Sequence, residues 1–327
     1  IKDIDDFTIE YMDKETGGIE RTTNIYYTYS DNFVKKLTPT SSKIIQKYFQ
    51  INEINRLIIL EKNQEILIKE QLILPDGYSL VINEGCVLSF DANASLIVNG
   101  GTNISGTSLN PVQFQGINKS SWPGIVILAN NNNVYINRLF VEGASGKSIS
   151  GFSYTGGVSI FQGKIDIQNS VFSKNTSEDA LNIISSNGNI ENLEIIQTQS
   201  DGLDIDFGEL NISNSFFNNI GNTTGADAID ISHAKVNISN VQVFNSTDKG
   251  LSVGESAQVR IDEFKVKNAL VGIAVKDSSL LNGKNIELSE ITLADAMAYR
   301  KKPQFQGATV ILENLNSNKS RFINQRG

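Results

Sequence analysis

The chain has 327 residues, 39% of them hydrophobic, and a formal net charge of -8, which argues against nucleic acid as a partner because phosphate binding needs a cationic surface. No run of about 18 apolar residues occurs, so no membrane-spanning helix is expected. A single cysteine, Cys86, excludes an internal disulfide and a thiolate metal cluster, and five prolines among many Asn, Ser and Gly suit an all-β protein with frequent turns.

Residues 1–40 are polar, with Tyr11, Tyr26, Tyr27 and Tyr29 and a Thr-rich run. They read as an irregular N-terminal extension, such as the end of a preceding domain. The chain begins at Ile1 without a signal peptide, as a piece trimmed from a longer protein would. Ile44, Ile45, Tyr48 and Phe49 fall at helical spacing, which predicts a short amphipathic helix from Ser41 to Gln50, capped by Ser41 or Ser42. From Leu57 onward, RLIIL, EILIKEQLIL, YSLVI, VLSF and ASLIVNG are short β-type runs separated by NQ, PDG, NEG and DAN turns. The long apolar first runs suit the first rungs of a solenoid and its cap. The expected division is an extension and cap over 1–60 and a solenoid over 61–327.

Rungs continue at WPGIVI (122–127) and GGVSIF (156–161), and then a repeat emerges: DALNI, DGLDI, DAIDI, KGLSV and VGIAV. Its central residues, Leu181, Leu203, Ile229, Leu251 and Ile273, are spaced by 22, 26, 22 and 22. A period of this length is the mark of stacked rungs. The 26-residue rung carries an insertion around Gly221-Asn222-Thr223-Thr224, and AMAYRKK extends the series with Met297 placed 24 residues after Ile273. ATVILEN, after Gly307, is a last strand. Each rung also has a second strand, IDIQNSVF, IENLEII, LNISNSFF, VNISNVQVF or VRIDEFKV, which aligns Asn169, Asn192, Asn214 and Asn240. These asparagines are expected to form an inward ladder of amide hydrogen bonds at a rung corner.

EDALNI, SDGLDIDF, ADAIDIS, DKGLSVGES, GIAVKDSS and AYRKK together resemble the right-handed parallel β-helix, the pectin-lyase-like fold, over roughly residues 65–310. More narrowly, they resemble β-helix domains of uncharacterised bacterial proteins, some of which follow a spore-coat CotH-type domain. The resemblance implies an all-β, right-handed parallel β-helix with a short irregular or helical N-terminal extension. The superfamily includes polysaccharide lyases, glycoside hydrolases, uronate epimerases and non-catalytic surface proteins. It therefore implies a polysaccharide partner and an extracellular or cell-envelope location, and it does not choose among the activities. The Gly-His-Gly motif of polygalacturonase-type hydrolases and the Asp-Pro-His-Asp motif of alginate epimerases are both absent.

Alternation along a strand puts Leu203 and Ile205 inside and Asp204 and Asp206 outside. Asn182, Asp204, Asp230, Ser252 and Ala274 then form one outward column, and Ile184, Asp206, Ser232, Gly254 and Lys276 the next. Ser185, Phe207, His233, Glu255 and Asp277 follow at the bend. Asp204 and Asp230 would lie about 4.8 Å apart across rungs, and Asp204 and Asp206 about 6.6 Å apart along one strand. Carboxylates so close must share a proton, bind a cation or take a basic partner.

Three chemistries fit. A carboxylate pair can hydrolyse a glycosidic bond. Asp204, Asp206 and Asp230 can hold Ca²⁺, with Lys249 or Lys276 removing the C5 proton of a uronate. The same face can also bind a glycan without turnover. The catalytic candidates are Asp204, Asp206, Asp230, His233, Lys249 and Lys276. The binding candidates are Asn182, Ser232, Ser252, Glu255, Asp277, Tyr299 and Arg300. No cofactor is required, Ca²⁺ being the one metal considered. Tyr299 and Trp122 suit sugar stacking or core packing. Asp179, Asp201 and Asp227 read as caps of the turn entering each strand, with Lys249 set against Asp227. The alternative is a non-catalytic polysaccharide-binding or coat module whose alternating charges staple the rungs.

Overall fold

The computed structural model describes residues 9–12, 19–22, 38–149, 152–222, 225–317 and 321–324. Tyr26, Tyr27 and Tyr29 of the extension, and Thr223 and Thr224 of the insertion, lie outside the described residues. The chain divides into two compact units, Ile1–Thr38 and Pro39–Gly327. In the first, Ile9–Met12 pairs antiparallel with Ile19–Thr22. The second coils through about 11 turns of β-solenoid. Its strands pair in parallel from one turn to the next, so the parallel β-helix expected from the sequence is the architecture found.

Each turn has three strands. In the continuous stretch Asp201–Ile220, residues 201–206 pair with 179–184, 208–213 with 186–191, and 216–218 with 194–196. The chain changes face at Phe207 (φ 61°) and Asn214 (φ 51°), both left-handed. The run LNISNSFF therefore contains a corner, and the second strand read from sequence is two strands.

That corner corrects the asparagine ladder. Asn169, Asn192, Asn214 and Asn240 all take φ between 50° and 52°, the left-handed region that Asn tolerates better than other non-glycine residues. The conformation turns their side chains outward, and Asn192, Asn214 and Asn240 are exposed. The amides do bond along the stack, Asn192 Nδ2 to Asn169 Oδ1 at 3.1 Å and Asn240 Nδ2 to Asn214 Oδ1 at 2.7 Å. Serines, not asparagines, satisfy the backbone just inside these corners: Ser215 Oγ accepts from the Leu193 N–H at 3.2 Å.

The repeat itself behaves as the period predicts. Leu181, Leu203, Ile229, Leu251 and Ile273 stack in register and are fully buried, each such side chain contributing roughly 2 kcal/mol of apolar burial. The following rung differs by one residue. Ile273 lies opposite Ala296, and Met297 lies opposite the outward Ala274, because the register shifts between Ala269 and Val271. An extra residue at a bulge flips every later side chain relative to a simple count.

The N-terminal end of the solenoid is closed locally. The helix is one turn, Ser42–Ile45, preceded by Ser41 without a side-chain cap bond. It is short because the chain becomes a strand at Gln50, and Gln50–Asn52 pairs antiparallel with Leu57–Leu60. Ile45 and Phe49 are buried and cover core that the first rung would otherwise expose. Trp122 is fully buried, stacked on Phe90 at 4.2 Å, and its Nε1 donates to the Glu142 carbonyl at 2.8 Å. It is therefore a core residue and takes no part in sugar stacking. Among the described residues no helix is long and apolar enough to cross a membrane.

The corner geometry makes a contrast that denaturation can measure. Gly208 sits at φ 99°, and a Cβ there would lie 2.0 Å from the Ser186 carbonyl oxygen. Gly208→Ala is expected to cost at least about 1–3 kcal/mol, whereas the exposed Asn240→Ala should cost less than about 1 kcal/mol. Equal shifts in the denaturation midpoint would contradict this reading of the corners.

Candidate functional site

The repeat strands form one face of the solenoid, and their register fixes what the outward residues meet. Asp204 lies opposite Asn182 on one side and Asp230 on the other, and Ser252 and Ala274 follow. Asp206 lies opposite Ile184 and Ser232, and Lys276 opposite Tyr299. Asp179 and Asp201 are also paired across turns, and Asp227 extends their column, its carbonyl accepting from the Gly202 N–H. Six aspartates (179, 201, 204, 206, 227 and 230) therefore crowd three successive turns.

The crowd is held by specific contacts. Asn182 Nδ2 lies 3.0 Å from Asp179 Oδ2, 3.3 Å from Asp204 Oδ2 and 2.8 Å from Thr155 Oγ1, tying three successive turns together. Asp201 Oδ1 accepts the Asp227 N–H at 2.9 Å. Lys249 Nζ lies 3.1 Å from Asp227 Oδ1 and 2.5 Å from Asp248 Oδ2, the pairing expected from sequence. The turn-capping aspartates thus belong to the cluster as well. Carboxyl oxygens of Asp201, Asp227 and Asp230 lie within 4.8 Å of one another, a convergence the alternating-residue reading missed by confining the site to Asp204, Asp206 and Asp230. The signal was present in the constant Asp at 179, 201 and 227, two residues before each central Leu or Ile.

Lys276 reaches back over the preceding turn. Its Nζ donates to Ser252 Oγ at 2.9 Å and stands 3.9 Å from Asp230 Oδ1. Gly254 makes this possible, since a Cβ there would lie 2.6 Å from Lys276 Cε. At the bend, His233 Nδ1 lies 3.1 Å from Glu255 Oε2, and Lys302 Nζ donates to Glu255 Oε1. Phe207 and His233 stack with centroids 4.9 Å apart.

The remaining sequence candidates lie at the edges. Asp277 is fully buried, its Oδ1 accepting from the backbone N–H of Lys301 and Lys302 at 2.6 and 2.8 Å. Ser252 is fully buried, Ser232 and Tyr299 are half-buried, and Arg300 is exposed. The structure brings together Asn182, Asp204, Asp206, Asp230, Ser252 and Lys276, and places Lys249 against Asp227 beside them.

Desolvation dominates the electrostatics. Burial first, then Asp179, Asp206 and Asp230, push Asp204 up to about 9. Burial and the Asp227 and Asp230 charges raise Asp201 to about 7, its hydrogen bond from Asp227 opposing them. Burial lifts Asp179 to about 6 and Asp227 to about 6, Lys249 and hydrogen bonds opposing it. Asp206 is raised by burial and by Asp230. At neutral pH the site therefore holds a protonated carboxyl among ionised ones, the arrangement acid–base catalysis needs.

No family model matches the chain, and no curated protein matches it. Among solved structures it is similar to the catalytic unit of a thermostable GH87 alpha-1,3-glucanase from Streptomyces thermodiastaticus, with 9% identity and TM-score 0.41 over 80% of this chain and 64% of that one. It is similar to the A-module of mannuronan C-5 epimerase AlgE6 from Azotobacter vinelandii, with 11% identity and TM-score 0.34 over 82% and 89%. It is also similar to an alginate lyase from Paenibacillus sp., with 13% identity and TM-score 0.33 over 77% and 92%. The chain spans less than two thirds of the glucanase structure. The likeness is one of fold.

The raised carboxyls predict how stability depends on pH. The folded cluster retains protons that the unfolded chain releases above its ordinary carboxyl range near 3.8. The contribution of these groups is full below that value and is lost as pH climbs through about 6, 7 and 9. Asp204→Asn should therefore raise the melting temperature relative to the unaltered protein, by more at pH 9 than at pH 5. A difference that does not widen with pH would show that Asp204 is not held protonated.

Proposed function

We propose that the chain acts on an acidic polysaccharide outside the cytoplasm, by elimination or C5 epimerisation at a uronate unit. The observation that carries this reading is the convergence of the Asp201, Asp227 and Asp230 carboxylates within 4.8 Å, with Lys276 Nζ 3.9 Å from Asp230 Oδ1. Six aspartates face Lys249 and Lys276, so ion pairing leaves several carboxylates without a cation. Hard oxygen donors of this kind suit Ca²⁺, and Asp230 Oδ1 is buried without a hydrogen-bond partner, as a metal-ligating oxygen would be. The residues present fit the ion. Bound there, Ca²⁺ would supply the positive charge that receives a uronate carboxylate and acidifies its C5 proton.

The chain's own groups supply the rest. Lys276 Nζ is the atom that accepts the C5 proton. The electron pair left behind forms the C4–C5 double bond as the bond from C4 to its glycosidic oxygen breaks. Asp204, protonated at neutral pH, donates its proton to that departing oxygen. In epimerisation the C4 bond stays intact and Asp204 instead donates its proton to the opposite face of C5. Asn182 orients the Asp204 carboxyl through the 3.3 Å hydrogen bond.

A second reading, glycan binding or coat structure without turnover, is favoured by the burial of Asn182 and Ser252 within the same column and by the Lys249–Asp227 and Lys302–Glu255 pairs. Incubation with polygalacturonate and with alginate, with and without Ca²⁺, separates the two when unsaturated products, reducing ends and C5 configuration are followed. Ca²⁺-dependent turnover is expected, reduced about 10²-fold or more in Asp230→Asn and Lys276→Met. Retention of polymer without turnover by the unaltered protein would favour the second reading. Turnover unchanged in both variants would remove the site from the reaction.

A further inference from the structure

The corner beside the carboxylates carries a feature that neither the stacking of rungs nor proton transfer explains. At this corner the residues Gln162, Ser185, Phe207, His233, Glu255 and Asp277 all take φ between 52° and 61°. Four of the six have polar or acidic side chains with no ring. A bulky aromatic residue at positive φ is a conformational outlier that persists where the surroundings enforce it. Asn fills the equivalent positions of another corner at 169, 192, 214 and 240. Phe207 is nevertheless 47% exposed, so burial of its ring does not compensate for the strain.

Its surroundings hold the ring in place on one side only. The His233 imidazole stacks on it, 4.9 Å between centroids and 23° between planes. His233 is itself braced, with Nδ1 3.1 Å from Glu255 Oε2 and the Phe305 ring 6.1 Å away at 62°. Lys302 fixes Glu255 in turn. On the opposite side, the preceding turn offers Ser185 at the equivalent position, with no ring to cover Phe207. Asp206 precedes Phe207 in the chain and lies two residues from Asp204 on the same strand, so the corner adjoins the acidic cluster.

We propose that Phe207 is a stacking platform for one pyranose ring of the polysaccharide, with His233 as the positioning residue that buttresses it from behind. This inference rests on the reading of the acidic cluster as a glycan site. The apolar face of a pyranose meets the face of Phe207 that His233 leaves free, and the next sugar along the polymer meets the carboxylates. His233 then acts through Phe207, and is not a general acid or base.

Phe207→Asn tests the platform without disturbing the corner, because Asn favours the left-handed conformation. Its melting temperature should be no lower than that of the unaltered protein. Binding of hexasaccharides from polygalacturonate and from alginate, measured by calorimetry with Ca²⁺ present, should weaken about tenfold. Phe207→Tyr should restore it. If turnover is present, KM should rise in Phe207→Asn with kcat nearly constant, as for an interaction shared by ground and transition states. His233→Asn should weaken binding less than Phe207→Asn and leave the pH profile of turnover unmoved. Oligosaccharide binding that is equal in the unaltered protein and Phe207→Asn would overturn the platform, and so would absence of binding to either oligosaccharide by the unaltered protein. Binding lost in Phe207→Asn with no turnover by any form would instead uphold the platform and remove the enzymatic reading.

Discussion

A parallel stack sets equivalent positions of successive turns one strand spacing apart, about 4.8 Å, so whatever a column contains it must contain at close quarters. This constraint acts oppositely on different residue types. For Leu203, Ile229 and Leu251 proximity is favourable and yields a continuous core. For Asn169, Asn192, Asn214 and Asn240 it allows amide hydrogen bonds from turn to turn. For aspartate it brings repulsion, worth on the order of 4 kcal/mol per pair at 4 Å in a medium of intermediate polarity. Columns of Asp204 and Asp230, and of Asp179, Asp201 and Asp227, are therefore the one part of the face that stacking alone does not stabilise.

The molecule relieves that repulsion in three ways, and their distribution defines the site. Lys249 occupies the aspartate column one turn beyond Asp227 and pairs with it. Lys276 folds back across Gly254 toward Asp230. Protonation serves Asp204, where burial and four acidic neighbours act together. Protons and an added cation compete for the same oxygens, so filling the Asp201, Asp227 and Asp230 triad would lower the affinity of the cluster for protons. Site occupancy, stability and the protonation of Asp204 are thus a single linked equilibrium.

The fold was legible because the repeat states it twice, once as a period and once as alternation. Both are properties of single residues, so Leu181 to Ile273 could be stacked without coordinates. What depended on backbone conformation was harder to read. The asparagines aligned correctly, yet their outward direction follows from left-handed φ values that a column of letters does not display. Met297 is one residue off the count because a bulge between Ile291 and Ala294, opposite Leu270, adds a residue to the later strand. The acidic face was legible in position. The convergence of Asp201 and Asp227 with Asp230 was not, because Asp201 is the first residue of its strand and Asp227 precedes the strand at Ile229, and alternation fixes directions only inside a strand.

Three departures from the repeat gather at one place along the axis. The Asp201 and Asp227 turns are separated by the 26-residue spacing, where the others are 22. They carry the outward Asp204 and Asp230, where later turns have Ser252 and Ala274. They also place Phe207 and His233 at a left-handed corner whose other members lack aromatic rings. A solenoid selected only for stacking has no reason to cluster a longer turn, crowded carboxylates and strained aromatics on two adjacent rungs, since each of these weakens the stack. Their coincidence is the reason the proposed glycan site is set on the turns that begin at Asp201 and Asp227. The regular rungs on either side are the scaffold that keeps those costs tolerable.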